Sequence, residues 1–310
     1  MPRVSISVPC YNYAHYLQDA VQSILNQSFR DWEAITIDDA STDSTWEVMQ
    51  GFRDPRIVCV RHTQNKGNIV TFNLAIARSS GEYVAILSAD DLYRPNFLKR
   101  TVEMLEAHPD AGMVYTGWEM VDARGRTIRE VTSMPHAQDG VYDELPSLLL
   151  GCHIPQCGTL VRRRVLDQVG VYDPTLIRAG DWDLWLRIAR RYKVAFVSEA
   201  LYQYRRHGGN MSVDPGTLLR TEQELNLILE RVLSDASLPP EVRATAGRAR
   251  AYKDWGVARL RFMRKEWRGG TSALLKAVCE DPALVSSPRR VAGMILSAAH
   301  GLTGRTWWGI

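Results

Sequence analysis

A chain of 310 residues, 45% of them hydrophobic and 24% charged, has the composition of an ordinary globular protein and the length of one large domain or two smaller ones. Five cysteines (Cys10, Cys59, Cys152, Cys157 and Cys279), an odd number at irregular spacing, argue against a disulfide framework, and no stretch approaches the roughly 18 apolar residues that would span a bilayer. The net charge of +3 conceals an asymmetry, because residues 241–310 carry 13 basic against 5 acidic side chains and the residues before them 25 against 30.

Taken in chain order, "MPRVSISVPCYNY" enters a strand almost at once, with no basic segment followed by an apolar one. No signal peptide is expected, and unpaired cysteines fit reduced thiols in a cytoplasmic protein. After the first strand, "VSISVP", the residues Leu17, Ala20, Val21, Ile24 and Leu25 recur at helical spacing over 14–28. "WEAITIDD" predicts a second strand, and "STDST" offers cap residues for a helix near 44–52. "RIVCVRH" predicts a third strand and residues 68–78 a helix; "EYVAILS" is a fourth strand before a helix from near Pro95 to about Ala107. Such alternation implies crossover connections, hence an α/β fold with a mostly parallel central sheet flanked by helices.

Further strands are predicted at "AGMVYTGWEM", "TLVRRRVL" and "KVAFVSEALYQYRRH", with "DWDLWLRIARRY" an amphipathic helix between the last two. These complete a first domain over residues 1–212. A helical, basic region over 213–310 follows, broken by "SLPPE" at 237–241 and by "RGGT" at 268–271. A helical hairpin over 242–280 fits that spacing. Cys152 and Cys157 flank His153 without the four ligands of a structural zinc site, and read as small core residues.

Ligands of parallel sheets sit beyond the C-terminal ends of the strands, and here those ends are "PCYN", "IDDASTD", "TQNKGN" and "SADD". Asp90 and Asp91 are adjacent carboxylates that repel each other unless a cation lies beside them. Mg²⁺ or Mn²⁺ is typically held by one or two carboxylates plus substrate phosphates; a helix-entry turn capped by the aspartates is the alternative. Asp38 and Asp39 can accept hydrogen bonds from ribose hydroxyls or a base N–H, or simply close a turn. Tyr11 can lay its ring on a base or pack on a neighbouring loop, and Lys66 with Gly67 can approach a diphosphate or form a bare turn. Asp181, opening the helix that carries Trp182 and Trp185, is either a cap or a general base beside a partly desolvated pocket. No glycine-rich dinucleotide fingerprint and no phosphate loop ending in Lys and Ser or Thr is present, so hydride transfer and nucleotide hydrolysis lack their motifs.

Together, "VSISVPCYNY", "ILNQSFRDWEAITIDDASTDST", "NKGN", "ARSSGEYVAILSADD" and "VGVYDPTLIRAGDWDLWLRI", in this order between about residues 3 and 206, resemble the inverting family 2 nucleotide-sugar glycosyltransferases of the GT-A fold, the bacterial spore-coat type among them. The resemblance implies that Pro9 and Tyr11 belong to the first nucleotide-contacting loop, that Asp39 holds the uracil or ribose, and that Asp90 lies near the ribose. It implies that Asp91 reaches the divalent metal, Mn²⁺ or Mg²⁺, and that Asp181 is the catalytic base. "YRRHGGNMS" resembles the end of the domain in many members, where a residue like His207 approaches the diphosphate or metal; a surface histidine is the alternative. Ser88 stands where many members have Asp, and Gly180 where many have Glu.

The implied reaction moves a sugar from a nucleotide-diphosphate sugar, UDP or dTDP by default, to a hydroxyl of a sugar or lipid-linked sugar, as in cell-surface polysaccharide or glycan synthesis. An inactive nucleotide-sugar-binding protein is disfavoured by the retention of Asp91 and Asp181. A sugar nucleotidyltransferase is disfavoured by the missing Gly-rich, Arg-Lys signature near the N-terminus. No nucleic-acid partner is expected. Beyond the resemblance, Arg289 and Arg290 precede an apolar stretch ending in Trp307 and Trp308, a composition suited to peripheral contact with the inner face of the cell membrane. Burial against the catalytic domain or in a homo-oligomer contact is the alternative.

Overall fold

The computed structural model describes residues 1–131, 135–210 and 218–303. The first half alternates β1 (Val4–Cys10), α1 (Ala14–Leu25), β2 (Trp32–Asp38), α2 (Thr45–Gln50), β3 (Ile57–Arg61), α3 (Asn68–Arg78) and β4 (Tyr83–Ile86). Val4, Ile6 and Val8 of β1 are buried, as are Ala34, Ile35 and Ile37 of β2, the near-continuous apolar content of strands covered on both faces. Helix α1 buries Leu17, Ala20, Val21 and Ile24, the spacing of a single helical stripe. The four strands pair in parallel in the order β3-β2-β1-β4. Their C-terminal ends therefore share one edge.

The chain continues through β5 (Leu92–Tyr93), α4 (Phe97–Ala107), β6 (Ala111–Val121), β7 (Thr127–Val131), β8 (Gly140–Tyr142), α5 (Leu145–Leu149), β9 (Thr159–Arg162), α6 (Arg163–Val169), α7 (Gly180–Ala189) and β10 (Lys193–Arg205). The sheet extends β4-β9-β6-β10-β5. Strand β9 is antiparallel to both β4 and β6, and β6 is parallel to β10 over most of its length. Two reversals restore the direction, so β10 runs the same way as β4. The end of β10, at Arg205, consequently reaches the edge at which β4 ends.

Two expectations give way for identifiable reasons. "TLVRRRVL" is strand only to Arg162 and helix from Arg163. Arg162 donates to the carbonyls of Ala111 at 2.9 Å and Leu105 at 2.6 Å, while Arg163 donates to those of Gly81 and Ile76. Side chains serving the C-terminal ends of α4 and α3 thus mark the change of conformation. The glycines of "RGGT" do not break the chain but lie inside α11 (Trp267–Glu280). A Cβ on Gly270 would meet the Phe262 ring at 2.6 Å, so the glycine permits a close approach between helices.

The chain divides into two compact units, residues 1–144 with 153–208 and residues 145–152 with 209–310. Leu145–Cys152 goes with the second unit. That unit holds α8 (Leu218–Leu233), α9 (Pro240–Ala244), α10 (Ala246–Met263), α11 and α12 (Pro288–Thr303), with a core that includes Trp255, Phe262, Leu284 and Met294. The buried Asp254 is balanced by Lys253 at 2.7 Å and Lys276 at 2.9 Å. Among the described residues no helix is long and apolar enough to cross a membrane. Trp307 and Trp308 lie outside them.

Candidate active site

The loops after β1 and β2 are stapled together. Asn12 and Ala40 both have left-handed backbones, with φ 59° and 60°, a conformation that costs a non-glycine residue on the order of 1 kcal/mol or more and must be held by its surroundings. The Asn12 N–H donates to Ser41 Oγ at 2.9 Å, and the Thr42 N–H donates to Asn12 Oδ1 at 2.8 Å. The Ala14 N–H donates to Asp43 Oδ2 at 3.1 Å. Pro9 is partly buried beside these contacts and Tyr11 is 44% exposed.

The first aspartate pair lies where β2 ends. Asp38 accepts the Ser41 N–H at 2.9 Å and pairs with Arg61 at 3.0 Å. Asp39 accepts the N–H groups of Lys66 and Gly67, both at 2.8 Å, and lies 2.8 Å from His62 Nδ1. Its carboxylate thereby organises the "NKGN" loop, in which Gly67 has φ 85° with open space where a Cβ would point. The Lys66 side chain is exposed.

The second pair follows β4. Asp91 is 3% exposed; its Oδ2 accepts the Tyr202 hydroxyl at 2.6 Å and its Oδ1 the Arg205 N–H at 2.8 Å. Burial, joined by repulsion from Asp90, pushes the Asp91 carboxyl well above its usual range against those two hydrogen bonds. Asp90 instead meets His207, whose Nε2 lies 3.0 Å from Asp90 Oδ2. The His207 ring sits beside those of Tyr16 and Tyr13, at centroid distances of 4.8 and 5.5 Å. Burial, with the charges of Asp90 and Asp91, pushes the Tyr13 hydroxyl upward. Each Asp91 oxygen thus accepts one buried donor, which leaves a carboxylate with further lone pairs to offer.

Ser88 precedes the pair, and its N–H donates to Cys157 Sγ at 3.3 Å. Burial pushes the Tyr172 hydroxyl upward, and the charge of Asp181 adds to that shift. Asp181 is partly buried in the first turn of α7, where a helix N-terminus favours negative charge, and its Oδ1 accepts the Trp182 N–H at 2.8 Å. Neighbouring Asp183 is tied to Arg187 at 2.8 Å.

A carboxylate oxygen and an imidazole nitrogen at the sheet edge form an incomplete donor set. Such a set suits Mn²⁺ or Mg²⁺ when substrate phosphates supply the remaining ligands. Among the described residues no group of three or more His, Cys, Asp or Glu is placed to hold a metal by itself. Sequence reasoning missed His62, Tyr202 and Arg205. An arginine two residues before His207, closing the strand that carries "ALYQY", was the available signal.

Known proteins share the family and the fold. The model of glycosyl transferase family 2 matches residues 5–170. A glycosyltransferase of Rickettsia typhi without a characterised activity is 30% identical over 212 residues, 66% of this chain and 64% of that one, just under two thirds of its length. One from a Nostoc species is 29% identical over 291 residues, 83% and 88% of the two chains. TuaG of Bacillus subtilis, named for teichuronic acid biosynthesis, is 30% identical over 208 residues, 66% and 79%. Among solved structures, residues 1–349 of S. aureus TarS with UDP-GlcNAc superpose with a TM-score of 0.67 at 18% identity, covering 98% of this chain and 93% of that one. The mannosyltransferase PcManGT of Pyrobaculum calidifontis, with GDP-Man and Mn²⁺, gives 0.63 at 19%, covering 98% and 88%. At such identities the structures establish the shared GT-A fold.

Proposed function

The chain belongs to glycosyl transferase family 2, and on that premise we propose that it is a metal-dependent, inverting glycosyltransferase that moves a sugar from a nucleoside diphosphate sugar to an acceptor hydroxyl. The observation that carries the reading is the meeting of Asp90 and His207, 117 positions apart in sequence and 3.0 Å apart in space, beside the strand-end loops that carry Tyr11, Asp39 and Lys66. UDP is the first choice of donor nucleotide and dTDP the second.

In this reading Tyr11 offers its ring to the base, Asp39 accepts from the base or ribose, and Lys66 faces the diphosphate. The Asp90–Asp91 turn, with Asp91 as the metal-reaching carboxylate the resemblance implies, would hold Mn²⁺ or Mg²⁺ together with His207. A cation bound there offsets the negative charge that develops on the leaving diphosphate. Asp181 takes the proton of the acceptor hydroxyl as that oxygen attacks the anomeric carbon from the side opposite the nucleotide, and a single displacement inverts the configuration. The relative named for teichuronic acid biosynthesis supports a sugar or lipid-linked sugar of a surface polysaccharide as acceptor.

Calorimetric titration with UDP, dTDP and GDP, each with and without Mn²⁺, tests the donor site. Binding of one nucleotide that needs both the metal and Asp90 supports the assignment; no binding under any condition sinks it. The exposed Arg289 and the 62% exposed Ile295 of α12, on a basic unit, favour a peripheral membrane contact as well. Co-sedimentation of the full chain with anionic vesicles should then fall on changing Arg289→Glu and Trp307→Ala together, and unchanged partitioning overturns the contact.

A further inference from the structure

Arg205 closes β10 and is only 2% exposed, where an unmatched charge would be costly. Its donors reach separate parts of the chain. The main-chain N–H donates to Asp91 Oδ1 at 2.8 Å and Nε to the Asp90 carbonyl at 2.8 Å. One terminal nitrogen donates to the Ala123 carbonyl at 3.0 Å and the other to Asp19 Oδ2 at 3.0 Å, 186 residues away in sequence. The guanidinium also lies 4.7 Å from the centre of the Tyr16 ring, within cation–π range. Tyr13, Tyr16 and Asp19 recur every three residues along the start of α1, so one helix face meets both Arg205 and His207.

We propose that Arg205 is a positioning residue for the Asp90–His207 pair, fixing the main chain from which Asp90 reaches His207 without itself contacting donor or cation. The inference rests on the donor-site reading above. Its basis is the fork: the planar guanidinium reaches the Asp90 carbonyl, the Ala123 carbonyl and Asp19 at once, and its main-chain N–H fastens Asp91 in the same turn. A lysine ammonium is a single point donor and reproduces only part of that set.

The test compares full-length wild type, Arg205→Met and Arg205→Lys by UDP titration with and without Mn²⁺, by hydrogen exchange over residues 88–93, and by thermal unfolding. For Arg205→Met the Mn²⁺-dependent affinity should fall roughly tenfold or more, the effect expected from losing one charge-assisted hydrogen bond, while metal-free affinity stays within about twofold. Amide exchange over 88–93 should quicken, and Arg205→Lys should recover part of both losses. Equal losses with and without Mn²⁺ would mark a general structural role and overturn the proposal, as would an Arg205→Met affinity like that of wild type. If wild type binds no nucleotide with Mn²⁺, the donor reading fails and exchange alone decides. Faster exchange over 88–93 than in an Arg187→Met control then supports the positioning role, and equal exchange overturns it. Should Arg205→Met not fold, Asp19→Ala removes one arm of the fork from an exposed position and should give a smaller loss of the same Mn²⁺-dependent kind; no such loss overturns the proposal.

Discussion

The pair Asp38–Asp39 ends β2 and the pair Asp90–Asp91 follows β4, and each keeps a histidine close. His62 Nδ1 is 2.8 Å from Asp39, and His207 Nε2 is 3.0 Å from Asp90. The first pair works inward: Asp39 gathers the Lys66 and Gly67 N–H groups, and its histidine comes from the neighbouring strand end, where Asp38 is paired in register with Arg61. The second pair divides its labour. Asp91 is locked to Tyr202 and Arg205, and Asp90 faces a histidine delivered from far along the chain. The same dipeptide gathers loop amides in one place and a buried tyrosine, arginine and histidine in the other, because different neighbours arrive beside it.

The sharpest way to break that comparison is to neutralise one carboxylate in each pair. Asp90→Asn should lower the transfer rate by about a thousandfold or more, losing several kcal/mol of charge stabilisation, with little change in melting temperature. If Asp39→Asn does the same, the two pairs are not different in kind. The histidines come next. His207→Asn should weaken Mn²⁺-dependent nucleotide binding by roughly 10- to 100-fold, whereas His62→Asn should lower the melting temperature and leave the Mn²⁺ dependence intact; calorimetry and a thermal scan on both variants separate the outcomes.

Asp39→Asn itself should destabilise by about 1.5–3 kcal/mol, the range for charge-assisted hydrogen bonds, and should weaken nucleotide binding with and without Mn²⁺ alike, as titration would show. The smallest effect lies at the opposite end of β2. Glu33 accepts the Ser5 hydroxyl and the Ser80 N–H, both at 2.7 Å. Burial acts against its ionisation, but these bonds prevail and hold its carboxyl below the usual 4.5. A depressed carboxyl contributes stability above its unfolded value and loses it as pH falls through the folded one. Glu33→Gln should therefore flatten the acid limb of the stability curve while leaving nucleotide titrations unchanged.

The strand-end edge was legible because hydrophobic period and turn chemistry are local. Val4, Ile6 and Val8 announce a buried strand, and "SADD" announces its polar end, without knowledge of any neighbour. Asp181 stood out for the same reason, as an acid at the start of a tryptophan-bearing helix. The different partners of Asp90 and Asp91 were not legible, since adjacent aspartates are chemically alike. Nor was the strand-to-helix change between Arg162 and Arg163, because its arginine contacts lie on carbonyls far away in sequence.

What the sequence by itself determined is the α/β alternation, the edge at which ligands gather, and the short set of acids and aromatics standing there. Only the tertiary structure decided which partners each carboxylate of the second pair meets. That choice depends on β9 reversing twice so that β10 runs with β4, bringing Tyr202, Arg205 and His207 to the same corner. Two buried donors on Asp91 leave Asp90 to meet the histidine, and no local pattern of residues encodes a contact made across 117 positions of chain.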